Sequence, residues 1–142
     1  MTIATILANK GRDVISVSAG TRVADVVALL ATRRIGAVPV MDGDTVAGIL
    51  SERDIIYHLQ SDGPAMLEWS AERVMTAPAI TVEGAMPILH ALSLMTRRRV
   101  RHLPVIEGGR LEGFVSIGDL VKARVDRIQA EAEAMREYIQ ST

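Results

Sequence analysis

The chain has no cysteine, one phenylalanine, one tryptophan and two tyrosines among 142 residues. Without thiols, disulfides and thiolate metal sites are excluded, which fits a reducing compartment. With so few rings, the 49% hydrophobic fraction is carried by Val, Ile, Leu, Ala and Met, an aliphatic set suited to sheets covered by helices. The same shortage argues against a ring-lined platform for stacking single-stranded nucleic acid. Charge of one sign is also missing: 16 Lys and Arg stand against 17 Asp and Glu, a net charge of −1. No global field draws the protein to nucleic acid or an anionic membrane, and such a role needs a local patch. There is no run of about twenty apolar residues, and Met1 to Leu7 lacks a charged leader with a long apolar run, so we expect a cytoplasmic protein with no membrane insertion. The length excludes a (β/α)₈ barrel and leaves room for one compact domain or two very small ones.

What the chain does have is a motif that occurs twice. Gly48-Ile49-Leu50-Ser51-Glu52-Arg53-Asp54 returns sixty-five residues later as Gly113-Phe114-Val115-Ser116-Ile117-Gly118-Asp119, and both read Gly-x-x-Ser-x-x-Asp. In each copy an apolar pair forms a short strand, and the serine then stands where a helix begins, with the aspartate one turn inside. Taken alone this is a capping box, serving only the free N–H groups of a helix start. The surroundings match too. Residues 14–56 slide onto 79–121 without a gap, with 11 identities in 43 positions, among them Ile15/Ile80, Arg34/Arg99 and Pro39/Pro104. Unrelated sequences agree at roughly one position in fifteen. The chain is an internal duplication, and neither half of about sixty residues buries enough surface to be comfortable alone.

The first copy reads as a βαββα unit. A strand at Val14 to Val17 precedes a helix capped by Thr21, with Val23, Val26, Val27 and Leu30 on its apolar face and its end by Arg34. A strand covers Ile35 to Met41, where Pro39 argues for an edge or irregular position. A turn at Asp42-Gly43-Asp44, a strand at Val46 to Leu50 and a helix from Ser51 to about Leu59 complete it. The second copy predicts strands at Ile80 to Val82, His102 to Ile106 and Leu111 to Val115, a helix over about 87–98, and another from Ile117 or Gly118 onward. Around these lie a short N-terminal helix at Thr2 to Ala8 stopped near Lys10-Gly11, a polar linker at Gln60 to Pro64, and a connector helix near Ser70 to Met75 beside Trp69. The fold class is α/β (α+β). Residues 1–65 hold the first helix and repeat; residues 66–142 hold the connector, second repeat and C-terminal helix.

Over nearly its whole length the sequence resembles the cystathionine β-synthase-type, or CBS, domain pair. The resemblance rests on the tandem units, Val38-Pro39-Val40 and Leu103-Pro104-Val105, the Gly-Gly-Arg-Leu-Glu-Gly turn at 108–113, and both Ser-x-x-Asp motifs. Ser51-Glu52-Arg53-Asp54 and the stretch Arg98 to Pro104 are most similar to small stand-alone bacterial members. The resemblance implies two repeats packed about a pseudo-twofold axis, clefts that bind an adenosine nucleotide, and a regulatory or sensor role without catalysis, acting on a partner enzyme or transporter. AMP is the first expectation, with ATP or NAD(H) as alternatives.

The expected main site takes Ser116 and Asp119 with Gly118 at the helix start, Arg101 and His102 toward phosphate, and Ile80, Thr81, Val82 and Val100 around the base. An ionised aspartate accepts from both ribose hydroxyls, and a helix N-terminus favours phosphate. A second, weaker cleft takes Ser51, Asp54, Arg53 and Ile15. It is weaker because Gly36 and Ala37 stand where the other repeat has Arg101 and His102, and because Glu52 puts a negative charge in the helix's first turn. The run Arg97 to Arg101 also reads as a basic helix end, or as a nucleic-acid patch, which the net charge disfavours. His58, His90 and His102 lack metal spacing, no catalytic constellation can be assembled, and a purely structural dimerisation unit is a third alternative. After Asp119 the sequence has no Gly or Pro, and Val121, Val125, Ile128, Ala132, Met135 and Ile139 form a heptad-like seam. It predicts a long C-terminal helix and a homodimer.

Overall fold

The computed structural model describes residues 1–141. Helix α1 (Ile3–Lys10) is followed by β1 (Val17–Ser18), α2 (Val23–Arg33), β2 (Ala37–Asp42), β3 (Thr45–Ser51) and α3 (Glu52–Asp62). A 3₁₀ turn (Pro64–Glu68) and α4 (Ala71–Val74) connect to α5 (Ile88–Arg98), β4 (His102–Glu107), β5 (Arg110–Ser116) and α6 (Ile117–Ser141). The sheets have strand orders β1-β2-β3 and β4-β5. This is the expected pair of repeats with a long last helix.

The duplication holds at atomic detail. Val17 pairs with Val40 in parallel, and sixty-five residues on Val82 bridges Val105 in the same sense. The register of the antiparallel hairpins shifts after Val40 and after Val105. Arg34 and Arg99 end their helices in the left-handed region, each with φ 54°. The equivalent strands β3 and β5 touch, which is how the two sheets meet.

Four local expectations need correction. The first strand is shorter than the β-branched run suggests, only Val17–Ser18, and in the second repeat it shrinks to the Val82 bridge. Pro39 lies in the middle strand of its sheet, tolerated because β1 reaches only Val40 and Met41, so no neighbour asks for the missing N–H. Thr21 does not cap α2; Arg22 is the N-cap, and the Thr21 hydroxyl takes the Ser18 N–H at 3.2 Å, closing the preceding turn. The linker is also shorter, since α3 runs to Asp62 before Gly63 stops it with φ 76°.

Each repeat has its own aliphatic core, and the helices that complete the cores are exchanged. Ile3, Ile6 and Leu7 of α1 are buried with Val82, Ile88, Met95, Leu103, Val115 and Leu120 of the second repeat. Met66, Ala71 and Val74 of the connector are buried with Val23, Val26, Val38 and Leu50 of the first. Each of the larger side chains contributes about 1.5–3 kcal/mol by leaving water, so the exchange ties the halves together. The approach is close on both sides. A Cβ on Gly48 would lie 2.6 Å from the Thr76 carbonyl oxygen, and one on Gly113 would lie 2.5 Å from Leu7 Cδ2. At Gly48 the obstacle is backbone and requires glycine by contact, not by backbone angle, whereas at Gly113 it is a side chain that would have to shift.

Candidate functional site

Both Ser-x-x-Asp motifs fold as capping boxes. The Ser51 N–H donates to Asp54 Oδ2 at 2.9 Å, and the Asp54 N–H donates to Ser51 Oγ at 3.3 Å. Ser116 and Asp119 repeat this with distances of 2.8 and 3.1 Å. The first helical N–H is taken as well, Glu52 donating to the Gly36 carbonyl and Ile117 to that of Arg101. The helix starts are thereby held to the beginnings of β2 and β4, next to the place where the repeats meet.

A cleft of about 560 Å³ opens beside the first of these helix starts. Ser51, Glu52, Arg53 and Asp54 line one side; Pro78, Ala79 and Ile80 line another; Arg98, Arg99, Val100, Arg101 and His102 of the second repeat complete it. Ile49, Ile56 and Tyr57 add apolar surface. The structure thus divides the sequence-derived set differently from expectation. Ile80, Val100, Arg101 and His102 share a cleft with Ser51, Arg53 and Asp54, while Ser116, Gly118, Asp119, Ile15, Thr81 and Val82 do not line it. The reason is topological. Residues that precede the first strand of one repeat run past the capped helix of the other, so Ile80 meets Asp54 rather than Asp119. Val82 is spent in its sheet as a buried residue bridged to Val105.

Two partners of the aspartates were not visible in the sequence. Thr76 donates its hydroxyl to Asp54 Oδ1 at 2.8 Å, and its backbone exchanges two hydrogen bonds with Ile49, at 2.8 and 3.0 Å. Lys10 donates to Asp119 Oδ2 at 2.7 Å and to the Phe114 carbonyl at 2.8 Å. Lys10 and Thr76 lie outside the aligned block, and no residue identity marks either.

The charge in the cleft is mixed but mostly positive. Arg53 donates to the Arg99 carbonyl at 2.9 Å, joining the repeats across the left-handed residue. Glu52 also lines the cleft, its Oε1 3.4 Å from where a Gly36 Cβ would be. His102 stacks on Phe114 with centroids 5.5 Å apart, and burial pushes its pKa below the usual histidine value against the pull of Glu52 and Asp119. Burial alone raises the Asp119 carboxyl, but the Lys10 ammonium and the Ser116 N–H outweigh it and bring the pKa below its ordinary value. Among the described residues no group of three His, Cys, Asp or Glu is placed to hold a metal. None of the helices described is long and apolar enough to cross a membrane. An anion with an apolar body is the ligand this arrangement suits, held by cations at one end and by aliphatic walls along its length.

Known proteins share this sequence pattern and fold. The CBS domain family profile matches twice, over residues 10–61 and 71–126. The mitochondrial CBS domain-containing protein CBSX3 of Arabidopsis thaliana is 31% identical over 98% of this chain and 72% of its own length. A CBS-domain-containing protein from Agrobacterium tumefaciens superposes with a TM-score of 0.84 at 37% identity, over 87% of this chain and 99% of its own. CBSX2, whose crystal structure is a complex with AMP, superposes with a TM-score of 0.69 at 25% identity, over 80% of this chain and 88% of that one. With two family matches laid on two structurally equivalent repeats, the chain belongs to the CBS domain family as a tandem CBS pair.

Proposed function

We propose that this protein is a regulatory module that binds an adenosine nucleotide and has no catalytic activity of its own. The observation that carries the reading is the convergence of Asp54 with Arg99, Arg101 and His102, contributed by opposite repeats, around one cleft walled by Ile49, Ile80 and Val100. The AMP-bound relative CBSX2 supports the ligand class. In this reading the Asp54 carboxylate exchanges the Thr76 hydroxyl for a ribose hydroxyl, a neutral-for-neutral replacement. The base lies between Ile80 and the apolar residues of β3 and α3. The phosphate meets the guanidinium groups, which are suited to it by charge and planar geometry. The favoured cleft is therefore the Ser51/Asp54 one, and AMP remains the first ligand to test, with ATP and NAD(H) after it. Binding changes the contact between repeats, since Arg53, Arg99 and the ligand share that boundary, and a partner enzyme or transporter would read that change.

The partner surface is proposed to include a second copy of the chain. Helix α6 spans 25 residues, about 37 Å at 1.5 Å per residue, and its only buried residue is Leu120. Val125, Ile128 and Met135 are exposed along it, at 45–60%. From Val125 onward the described residues of the helix are exposed, which places Val125, Ile128 and Met135 to pair with another helix.

Thermal denaturation against AMP, ADP, ATP, NAD(H) and S-adenosylmethionine tests the ligand reading. A binder present at a hundred times its Kd raises stability by about 2.7 kcal/mol. No response to any member of the panel would reject nucleotide sensing, and a salt-dependent shift with DNA would favour the Arg97 to Arg101 run as a nucleic-acid contact instead.

A further inference from the structure

The two clefts differ in one substitution that the duplication makes visible. In the first, Thr76 supplies two donors: its backbone N–H goes to the Ile49 carbonyl at 2.8 Å and its hydroxyl to Asp54 at 2.8 Å. In the second, the equivalent acceptors are the Phe114 carbonyl and Asp119, and one group serves both, the Lys10 ammonium, at 2.8 and 2.7 Å. Gly11, which aligns with Thr76, has no side chain to offer, and its N–H is spent on the Leu7 carbonyl at the end of α1. A neutral hydroxyl has been replaced by an internal cation that reaches in from a helix terminus.

We propose that Lys10 is the determinant of site occupancy in this protein: its ammonium holds Asp119 and the Phe114 carbonyl in place of a ligand, so the Asp119 cleft stays closed to nucleosides while the Asp54 cleft is open. The inference rests on the nucleotide reading of the clefts. A ribose that is to use both carboxylate oxygens of Asp119 has to displace a lysine ion pair from Oδ2, whereas at Asp54 it exchanges one neutral donor for another on the carboxylate. Asp119 Oδ2 carries the Ser116 N–H as well, so only Oδ1 is left for the two hydroxyls of a ribose. The latch is local. Ile3, Ile6 and Leu7 anchor α1 in the second core with at most 6% exposure, whereas the Lys10 side chain is 40% exposed and can rotate without unseating the helix.

Calorimetry with AMP on the full chain decides the point. The wild type is expected to bind one AMP per chain, and Lys10→Met to bind two, the new site gaining at least about tenfold in affinity while the first keeps its own. In an Asp54→Ala background, where the first cleft binds about ten- to a hundredfold more weakly, Lys10→Met is expected to add a tighter site that the Lys10 protein lacks. Lys10→Gln, a milder change at the same exposed position, guards against loss of fold and is expected to behave as Lys10→Met does. Two sites in the wild type, or one site in both Lys10 variants, overturns the latch while leaving the nucleotide reading intact. A second site that weakens on loss of Lys10 identifies the lysine as a phosphate ligand and also overturns it. Absence of binding of AMP, ADP, ATP, NAD(H) and S-adenosylmethionine by the wild type and the Lys10 variants alike rejects the nucleotide reading, and this inference with it.

Discussion

Thr76 and Asp54 face each other across the boundary between the repeats, with the threonine hydroxyl 2.8 Å from the carboxylate. The threonine comes from the connector, the aspartate from the helix it passes, and their side chains hold the edge of the cleft that ligand would enter.

Removing that carboxylate is expected to weaken AMP binding by about ten- to a hundredfold, the cost of losing hydrogen bonds to a charged group. Asp119→Ala is expected to leave the first site within about threefold, since Asp119 does not line that cleft. Titration calorimetry on both variants measures this, and equal losses would place the ligand elsewhere.

His102 gives the site a pH dependence. Its folded pKa lies below the ordinary value of 6.5 because it is buried, with Lys10 and Arg101 also lowering it and Glu52 and Asp119 raising it. In the free protein a depressed histidine destabilises the fold as pH falls through about 6.5, because the unfolded chain takes up a proton that the folded one refuses. A bound phosphate reverses the balance by favouring the imidazolium. AMP affinity should therefore rise from pH 8 to pH 6, with a proton taken up on binding, and His102→Gln should flatten the profile. Calorimetry in buffers of different ionisation enthalpy reads the proton directly.

Gly48→Ala is expected to cost about 1–3 kcal/mol, since its Cβ would lie 2.6 Å from the Thr76 carbonyl and 2.7 Å from Met75 Sδ. The obstacle is backbone, so the two-way bond between Ile49 and Thr76 has to give. Chemical denaturation of the variant measures the stability loss, and AMP affinity should fall with it.

Truncation after Lys122 removes most of the exposed seam of α6 but retains the residues that line the cleft. Sedimentation is expected to show a dimer for the full chain and a monomer for the truncated one, with AMP binding retained. A monomeric full chain at micromolar concentration would reject the proposed self-association.

Much was legible in the sequence because it is local. The capping boxes are contacts between residues three apart, and the register of the hairpins follows from the short turns at Gly43 and Gly108-Gly109, where positive φ is needed. A sixty-five-residue offset could be read directly from identities, and with it the pair of repeats. What tertiary structure alone decided is which half each element serves. Hydrophobic periodicity marks the apolar face of α1 but not the surface it meets, so the exchange that buries Ile3 and Leu7 in the second repeat was not visible. The contents of the clefts depend on that exchange. Asp54 meets a threonine twenty-two residues away, and Asp119 meets a lysine one hundred and nine residues away. Neither lies in the aligned block or shares an identity with its counterpart, so only packing could show that one motif faces an open cleft and the other an internal cation.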